Sequence, residues 1–200
     1  MRTNNPIKEQ AIKDITLQII AAEGLENLSM QKLAKAANIS PRTIYLKYKD
    51  KDDLLVKLYV DEVIGTYQKV LLEGLTDTMP FDEGIKRLWQ NTFNHLKDNR
   101  PAFALMQYGK SSPLLNKAFQ DRGIKQEDHF KVFLSFLQYH IDKKTIINLH
   151  IDVYLALLFA PLHELVKEYF DYADRSQQII TPAIVTQCCE AVIKGVLIKN

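Results

Sequence analysis

The chain has 200 residues, of which 46% are hydrophobic and 25% charged, and its formal net charge is +2. This composition is typical of a globular protein long enough to bury a core, and it excludes an intrinsically disordered chain. No apolar run approaches the roughly 18 to 20 residues that span a bilayer, and no apolar segment follows the first charged residues, so we expect neither a membrane span nor a signal peptide.

The positive charge is concentrated near the N-terminus. Residues 1–60 contain ten Lys or Arg against seven Asp or Glu, whereas the rest of the chain has a net charge of −1. Between Lys32 and Lys51, six basic residues are accompanied by one acid, Asp50. A local excess of this kind favours docking onto a polyanion over a nonspecific positive coat.

Apolar residues recur at spacings of three and four along the whole chain, and glycine is scarce, so every element is predicted to be helical. The first helix begins at Pro6 and ends before Gly24. A second begins after the capping residue Ser29, and a third begins at Ser40 and Pro41. Between them Asn38 can adopt the left-handed conformation of a tight turn. A helix, a short turn and a basic helix form the arrangement of a helix-turn-helix DNA reader.

The predicted fourth helix is long and runs from about Asp53 to Leu72. The remaining chain is predicted to contain further helices, within Phe81 to Lys97, Ala102 to Tyr108, Leu114 to His140, Ile146 to Tyr172 and Pro182 to Lys199. The predicted fold class is therefore all-α, with about nine helices. Residues 1–52 form the predicted DNA-binding domain, and residues 53–200 the predicted effector-binding and dimerisation domain.

The third helix carries the side chains that DNA recognition requires. Arg42, near its start, has the planar fork that binds guanine O6 and N7, while hydroxyls and amines around it can hold phosphates. A solvated charged helix is the ordinary explanation of a basic run, but the helix-turn-helix arrangement upstream favours DNA binding. The predicted DNA-contacting residues are Ser29, Ser40, Pro41, Arg42, Thr43, Tyr45, Lys47, Tyr48 and Lys51.

These residues also resemble a known family. The stretches 29–40, 43–48 and 51–55 (SMQKLAKAANIS, TIYLKY and KDDLL) are similar to the "AxxAGVS", "TLYxYF" and "SKExLL" patterns of TetR-family transcriptional regulators. The resemblance covers about 50 residues. Asn38 replaces the usual turn glycine, and Arg42 stands where a small residue is common. The resemblance implies a homodimer that binds a palindromic DNA operator, usually represses transcription, and is released when a ligand binds the C-terminal domain.

The predicted ligand and dimer residues lie in the C-terminal part. Aromatic residues crowd this region, and they either form a core or surround a cavity for an apolar or aromatic effector. The predicted cavity residues are Tyr59, Val63, Tyr67, Trp89, Phe93, Phe103 and Met106. The last two helices have more apolar surface than one chain needs, which predicts a homodimer interface formed by Leu155, Leu158, Leu162, Ile184, Cys188 and Val192.

Other chemistries find little support in the residue patterns. The motif at His163 and Glu164 has Lys167 where a zinc-binding histidine would stand, so no metal and no cofactor is predicted. Cys188 and Cys189 are adjacent and cannot form a disulfide framework, which favours a cytoplasmic protein. No nucleophile, acid–base pair or glycine-rich phosphate loop is apparent, so we expect no enzyme activity. Two alternatives stay open, an all-α enzyme with a diffuse site and an architectural DNA binder without an effector.

Overall fold

The computed structural model describes residues 6–110, 112–121, 130–173 and 177–198, and most of them are helical. The helices are α1 (Pro6–Glu23), α2 (Met30–Ala36), α3 (Pro41–Tyr45), α4 (Lys51–Leu58), α5 (Gln68–Leu71), α6 (Phe81–Lys97), α7 (Arg100–Lys110), α8 (Pro113–Asp121), α9 (Lys131–Asp142), α10 (Ile151–Ala173) and α11 (Pro182–Val196). A 3-10 turn (Leu25–Asn27) follows α1, and a π-helical segment (Tyr59–Tyr67) joins α4 to α5. The described ranges contain one isolated β-bridge and no strand, so the predicted all-α class is confirmed.

The chain divides into two compact units. Unit 1 contains Met1–Thr66 and Asn99–Lys125, and unit 2 contains Tyr67–Asp98 and Gln126–Asn200. The predicted domain boundary after residue 52 falls inside unit 1, which also includes α7 and α8. The division into compact units does not test which residues bind DNA or an effector. The boundary between the predicted DNA-binding and effector-binding domains therefore stays a prediction.

Local capping explains the helix-turn-helix of unit 1. The Ser29 hydroxyl accepts a hydrogen bond from the Lys32 amide (3.2 Å), which begins α2. After α2, Asn38 has a φ of 51°, the left-handed conformation predicted for the turn. The next amide, of Ile39, donates to the Ala34 carbonyl (3.0 Å) and closes the end of the helix. Asparagine therefore takes the role that glycine usually has at such a helix end.

The predicted fourth helix changes its winding after Leu58. The π-helical segment there is held to α1 by an ion pair between Lys13 and Asp61 (2.7 Å). Near its start the Tyr59 ring lies so close to Gly109 of α7 that a Cβ at Gly109 would be 1.9 Å from it. Only glycine allows this approach of helix and ring. π-helical turns are rare and frequently lie at functional positions.

The core of unit 2 is built on α6, which packs against α10 and α11. Trp89 of α6 is 1% exposed, and its indole N–H donates to the Leu158 carbonyl of α10 (2.8 Å). Gly84 lies against the Phe136 ring of α9, where an added Cβ would be 2.5 Å from a ring carbon. No described helix is both long enough and apolar enough to span a membrane.

α10 begins later than its predicted start at roughly Ile146. The sequence pattern predicted helix from Ile146, but Ile146 is buried in an antiparallel bridge with Leu197, and α10 begins at Ile151. The Ile147 amide donates to the Val196 carbonyl, and the Ile198 amide donates to the Thr145 carbonyl, both at 3.0 Å. A helix starting at Ile146 would use the Thr145 carbonyl for its first bond, and here that carbonyl accepts from Ile198, just after α11, so this contact competes with an earlier start of α10.

Candidate nucleic-acid interface

The short helix α3 is fixed to unit 1 by Ile44, which is fully buried. Its start is capped by Ser40, whose hydroxyl accepts from the Thr43 amide (3.2 Å) and lies 2.9 Å from the Thr43 hydroxyl. Pro41 occupies the first turn, where a missing N–H costs nothing. Arg42 is exposed. Ser40 and Thr43 therefore hold the helix start in place while Arg42 extends into solvent.

The basic residues around α3 fall into two groups. Lys35, Arg42 and Lys49 are exposed. Two other lysines form ion pairs, Lys32 with Glu23 and Lys47 with Glu9. Lys51 donates from Nζ to the Leu25 carbonyl (2.7 Å), so it joins the start of α4 to the turn after α1. The exposed cations are available to a polyanion at once, whereas the paired lysines must exchange a carboxylate for a phosphate.

The two tyrosines of the motif differ sharply in exposure. Tyr45 is 52% exposed, whereas Tyr48 is 3% exposed, with the Lys57 ammonium 5.4 Å from its ring centre. Burial raises the pKa of Tyr48 to about 12. Tyr48 is therefore a structural residue of unit 1 in this conformation, and its DNA contact stays a prediction. Tyr45 has the exposure that a phosphate contact requires.

Sequence reasoning missed one exposed residue of this surface. Leu46, which caps the end of α3, is 65% exposed. Its position relative to the buried Ile44 was readable from helical spacing, but a leucine in a basic run was not considered as a DNA-contacting residue.

The predicted cavity residues are divided between the two units. Tyr59, Phe103 and Met106 belong to unit 1, and Tyr67, Trp89 and Phe93 to unit 2. The side chain of Val63 lies outside the described residues. A cleft of about 520 Å³ in unit 2 has a different lining, formed by Leu134, Leu137, Gln138, Ile141, Asn148, Leu149, His150, Ile151 and Tyr154. The predicted effector site stays a prediction.

Two histidines that are distant in sequence lie beside Tyr67 in unit 2. The Tyr67 hydroxyl is 3.5 Å from His163 Nε2, and the Tyr67 ring centre is 6.0 Å from that of His95. Burial lowers the pKa of His95, which favours its neutral form. This small polar group among apolar residues was not predicted, because the three residues belong to different helices.

The predicted dimer residues also differ in exposure. Leu158 and Leu162 have no exposed surface, so their side chains pack within their own chain and cannot cover a second copy. Leu155, Ile184, Cys188 and Val192 are half-buried. Burial raises the pKa of the Cys188 thiol, as expected for an apolar position. No cluster of His, Cys, Asp or Glu that could hold a metal ion occurs among the described residues.

The helix-turn-helix region matches a known family model, described as bacterial regulatory proteins, tetR family, over residues 12–58. An uncharacterized HTH-type transcriptional regulator of Haemophilus influenzae is 35% identical over 104 residues, which are 52% of this chain and 55% of the relative. The match thus spans about half the length of that curated relative.

Solved structures extend the likeness to the whole chain. A TetR-family transcriptional regulator from Haemophilus influenzae Rd has a TM-score of 0.75 and 25% identity, covering 98% of this chain and 100% of that one. Residues 12–58 therefore match the DNA-binding domain of the TetR family, and the fold of the chain is that of a TetR-family regulator. The transcriptional regulator FadR of Bacillus subtilis, in complex with stearoyl-CoA, has a TM-score of 0.68 at 19% identity, covering 94% of this chain and 98% of that one. The TetR family and the matched relatives are transcriptional regulators and not enzymes, in agreement with the prediction of no enzyme activity.

Proposed function

We propose that this TetR-family chain is a ligand-responsive repressor of transcription. It binds a palindromic operator as a homodimer and is released by a small apolar or aromatic effector. The observation that carries the proposal is the reading helix α3, capped by Ser40 and anchored by the buried Ile44, with Arg42 exposed at its start. In this class of reader such residues contact base edges in the major groove, and Lys35 and Lys49 are exposed for phosphates. Double-stranded DNA as the partner implies action in the cytoplasm.

The proposal is tested by selection from a library of random duplexes with the purified chain. Enrichment of one sequence with two-fold symmetry supports it. The two half-sites should lie about 34–36 Å apart, or a multiple of that distance, because the two reading helices must enter the major groove on one side of the duplex. A chain that retains no duplex above background, or enriches no sequence, is not the proposed operator-binding repressor.

The homodimer is supported by exposed apolar surface on α10 and α11, which pack against each other in unit 2. On α10, Val153 is 42% exposed and Leu157 43%. On α11, Ala191 and Gly195 are exposed, next to the half-buried Cys188. These residues recur at helical spacings of three and four, so each helix presents one apolar face. Two such helices and their symmetry mates form a four-helix contact.

We expect Leu157→Arg and Ala191→Arg each to convert the dimer into a monomer at micromolar concentration. Both side chains are exposed in the single chain, so the substitutions leave its fold intact, but they place an unpaired charge in the apolar contact. Sedimentation velocity measures the change. As a control, Asn94→Arg adds the same charge at an exposed position of α6, outside the proposed contact. Unchanged dimers of both variants would place the interface on another surface.

The effector is proposed to be apolar because the aromatic residues of unit 2 that are predicted to line its site, Tyr67, Trp89 and Phe93, are buried. The stearoyl-CoA complex of the FadR relative makes a long-chain acyl thioester a sensible first probe. A ligand changes DNA affinity only when it binds one conformation more tightly than the other. Thermal-shift screening should therefore begin with stearoyl-CoA and include small aromatic compounds.

We expect a compound that binds the predicted site to lower operator affinity about 5- to 150-fold. It should also change the fluorescence of Trp89, the single tryptophan of the chain. Phe93→Ala should weaken the binding of that compound. Phe133→Ala, at a buried ring outside the predicted site, is the control for lost packing. If a compound releases DNA without changing Trp89 emission, and Phe93→Ala binds it as tightly as the wild type does, the effector site is elsewhere. If no compound changes DNA affinity, an effector-independent DNA binder is the better description.

A further inference from the structure

Two residues of the proposed reading helix, α3 with its capping residue, point away from the buried Ile44, and together we call them the outward ridge. Successive α-helical residues are about 100° apart, so the positions two before and two after Ile44 each point about 160° away from its buried side chain. These positions are Arg42 and Leu46. They differ from each other by only about 40° in direction, since they are one turn apart. The Leu46 amide donates to the Arg42 carbonyl (3.1 Å), so helical geometry continues through Leu46.

The exposure of Leu46 is high for an aliphatic side chain. Leu46 is 65% exposed and the adjacent Tyr45 52%, the two highest values among the exposed large hydrophobic residues that the structure describes. A single exposed leucine is common on protein surfaces and signals nothing by itself. Here, however, it shares its ridge with an exposed arginine, on the helix that enters the groove in the proposed function.

Thymine offers an apolar group in the major groove. Its 5-methyl group lies on the base edge, and an apolar side chain can cover it, whereas guanine presents two acceptors to arginine. Along α3, Leu46 is about 6 Å from Arg42, and successive base pairs are about 3.4 Å apart. A helix lying along the groove therefore places Leu46 one or two base pairs beyond the base that Arg42 contacts.

We infer that Leu46 is a specificity-determining residue that reads the 5-methyl group of a thymine, one or two base pairs from the guanine bound by Arg42. This inference rests on the proposed function. In each half-site, Arg42 then hydrogen-bonds to a guanine, and Leu46 makes an apolar contact with the methyl group of a thymine. Because Leu46 packs little in the free protein, its truncation leaves the fold unchanged and isolates the contact with DNA.

The test starts from duplexes selected by the wild-type chain from a random library. Thymines of the selected half-site are then replaced one at a time by deoxyuridine, which removes only the methyl group. We expect one replacement to weaken wild-type binding about fourfold per half-site, the effect of one buried methyl group. Leu46→Ala should weaken binding to the thymine duplex by at least that factor and should be insensitive to the replacement. Leu46→Met, which keeps an apolar side chain, should retain the sensitivity.

The outcomes separate this inference from the proposed function. Leu46 does not read the methyl group if deoxyuridine weakens the binding of Leu46→Ala by the same factor as that of the wild type. The same conclusion follows if Leu46→Ala selects the same thymine as strongly. If the wild type selects a sequence with no thymine near the guanine, the inference is overturned while the repressor proposal stands. If the wild type selects no sequence at all, the proposed function fails and the inference with it. Equal melting temperatures of wild type and Leu46→Ala confirm that the fold is intact.

Discussion

We expect the affinity for operator DNA to fall about a thousandfold or more between 50 and 200 mM salt. Each phosphate contact contributes about −0.9 to the slope of log K against log salt, and contacts by three to five lysines in each half of a dimer give a slope of about −5 to −9. Lys35 and Lys49 are exposed, and Lys32, Lys47 and Lys51 lie in the same stretch with partners from their own chain. A steep slope requires some of these partners to be exchanged for phosphates.

Two substitutions test the origin of that slope. Lys35→Ala should make it shallower by about two, one contact for each half of the dimer, and should weaken all sequences equally. Glu9→Gln removes the carboxylate that pairs with Lys47, so it should strengthen DNA binding and steepen the slope. Fluorescence anisotropy with a labelled duplex at several salt concentrations measures both. A slope near zero for the wild type would contradict electrostatic docking of this surface.

We expect Arg42→Ala to weaken operator binding by about 1–3 kcal/mol per half-site, or about 5- to 150-fold. The loss should be confined to the specific sequence, with relaxed preference at one base pair. The reason is geometric. The guanidinium fork matches guanine O6 and N7, and Arg42 is exposed on α3, about 160° around the helix from the buried Ile44.

Arg42→Lys is the matched control, because it keeps the charge but lacks the planar fork. It should retain affinity for random duplexes and still lose the preference for guanine. Equal losses on the selected and random duplexes for Arg42→Ala, together with a shallower salt slope, would instead make Arg42 a phosphate contact.

Local sequence determined the helix-turn-helix. Ser29 and Ser40 cap helices through bonds to amides three residues away, and Asn38 makes the turn with its own backbone, so each contact lies within a few residues of its cause. Such features are readable without knowledge of distant contacts. The all-α class was readable for the same reason, since the helical period is a local property.

Only the tertiary structure decided which side chains of a helix predicted from the sequence remain available for contact with a partner. Leu158 and Leu162 are covered by their own chain, although the sequence pattern predicted them to face a second copy. Likewise, Glu9 is far in sequence from the lysine it pairs with, Lys47. The periodic pattern of a helix identifies its apolar face but not the partner that covers it.

The start of α10 and the grouping of Tyr67 with its histidine neighbours have the same physical origin. Ile146 leaves the helical pattern because its neighbours Thr145 and Ile147 hydrogen-bond to the backbone on either side of Leu197, about fifty residues later. Tyr67, His95 and His163 come from three different helical segments. The sequence by itself determined the all-α class and the helix-turn-helix, because caps, turns and helical period act within a few residues. Only the fold decided which residues share a site, because that depends on contacts between segments far apart in the chain.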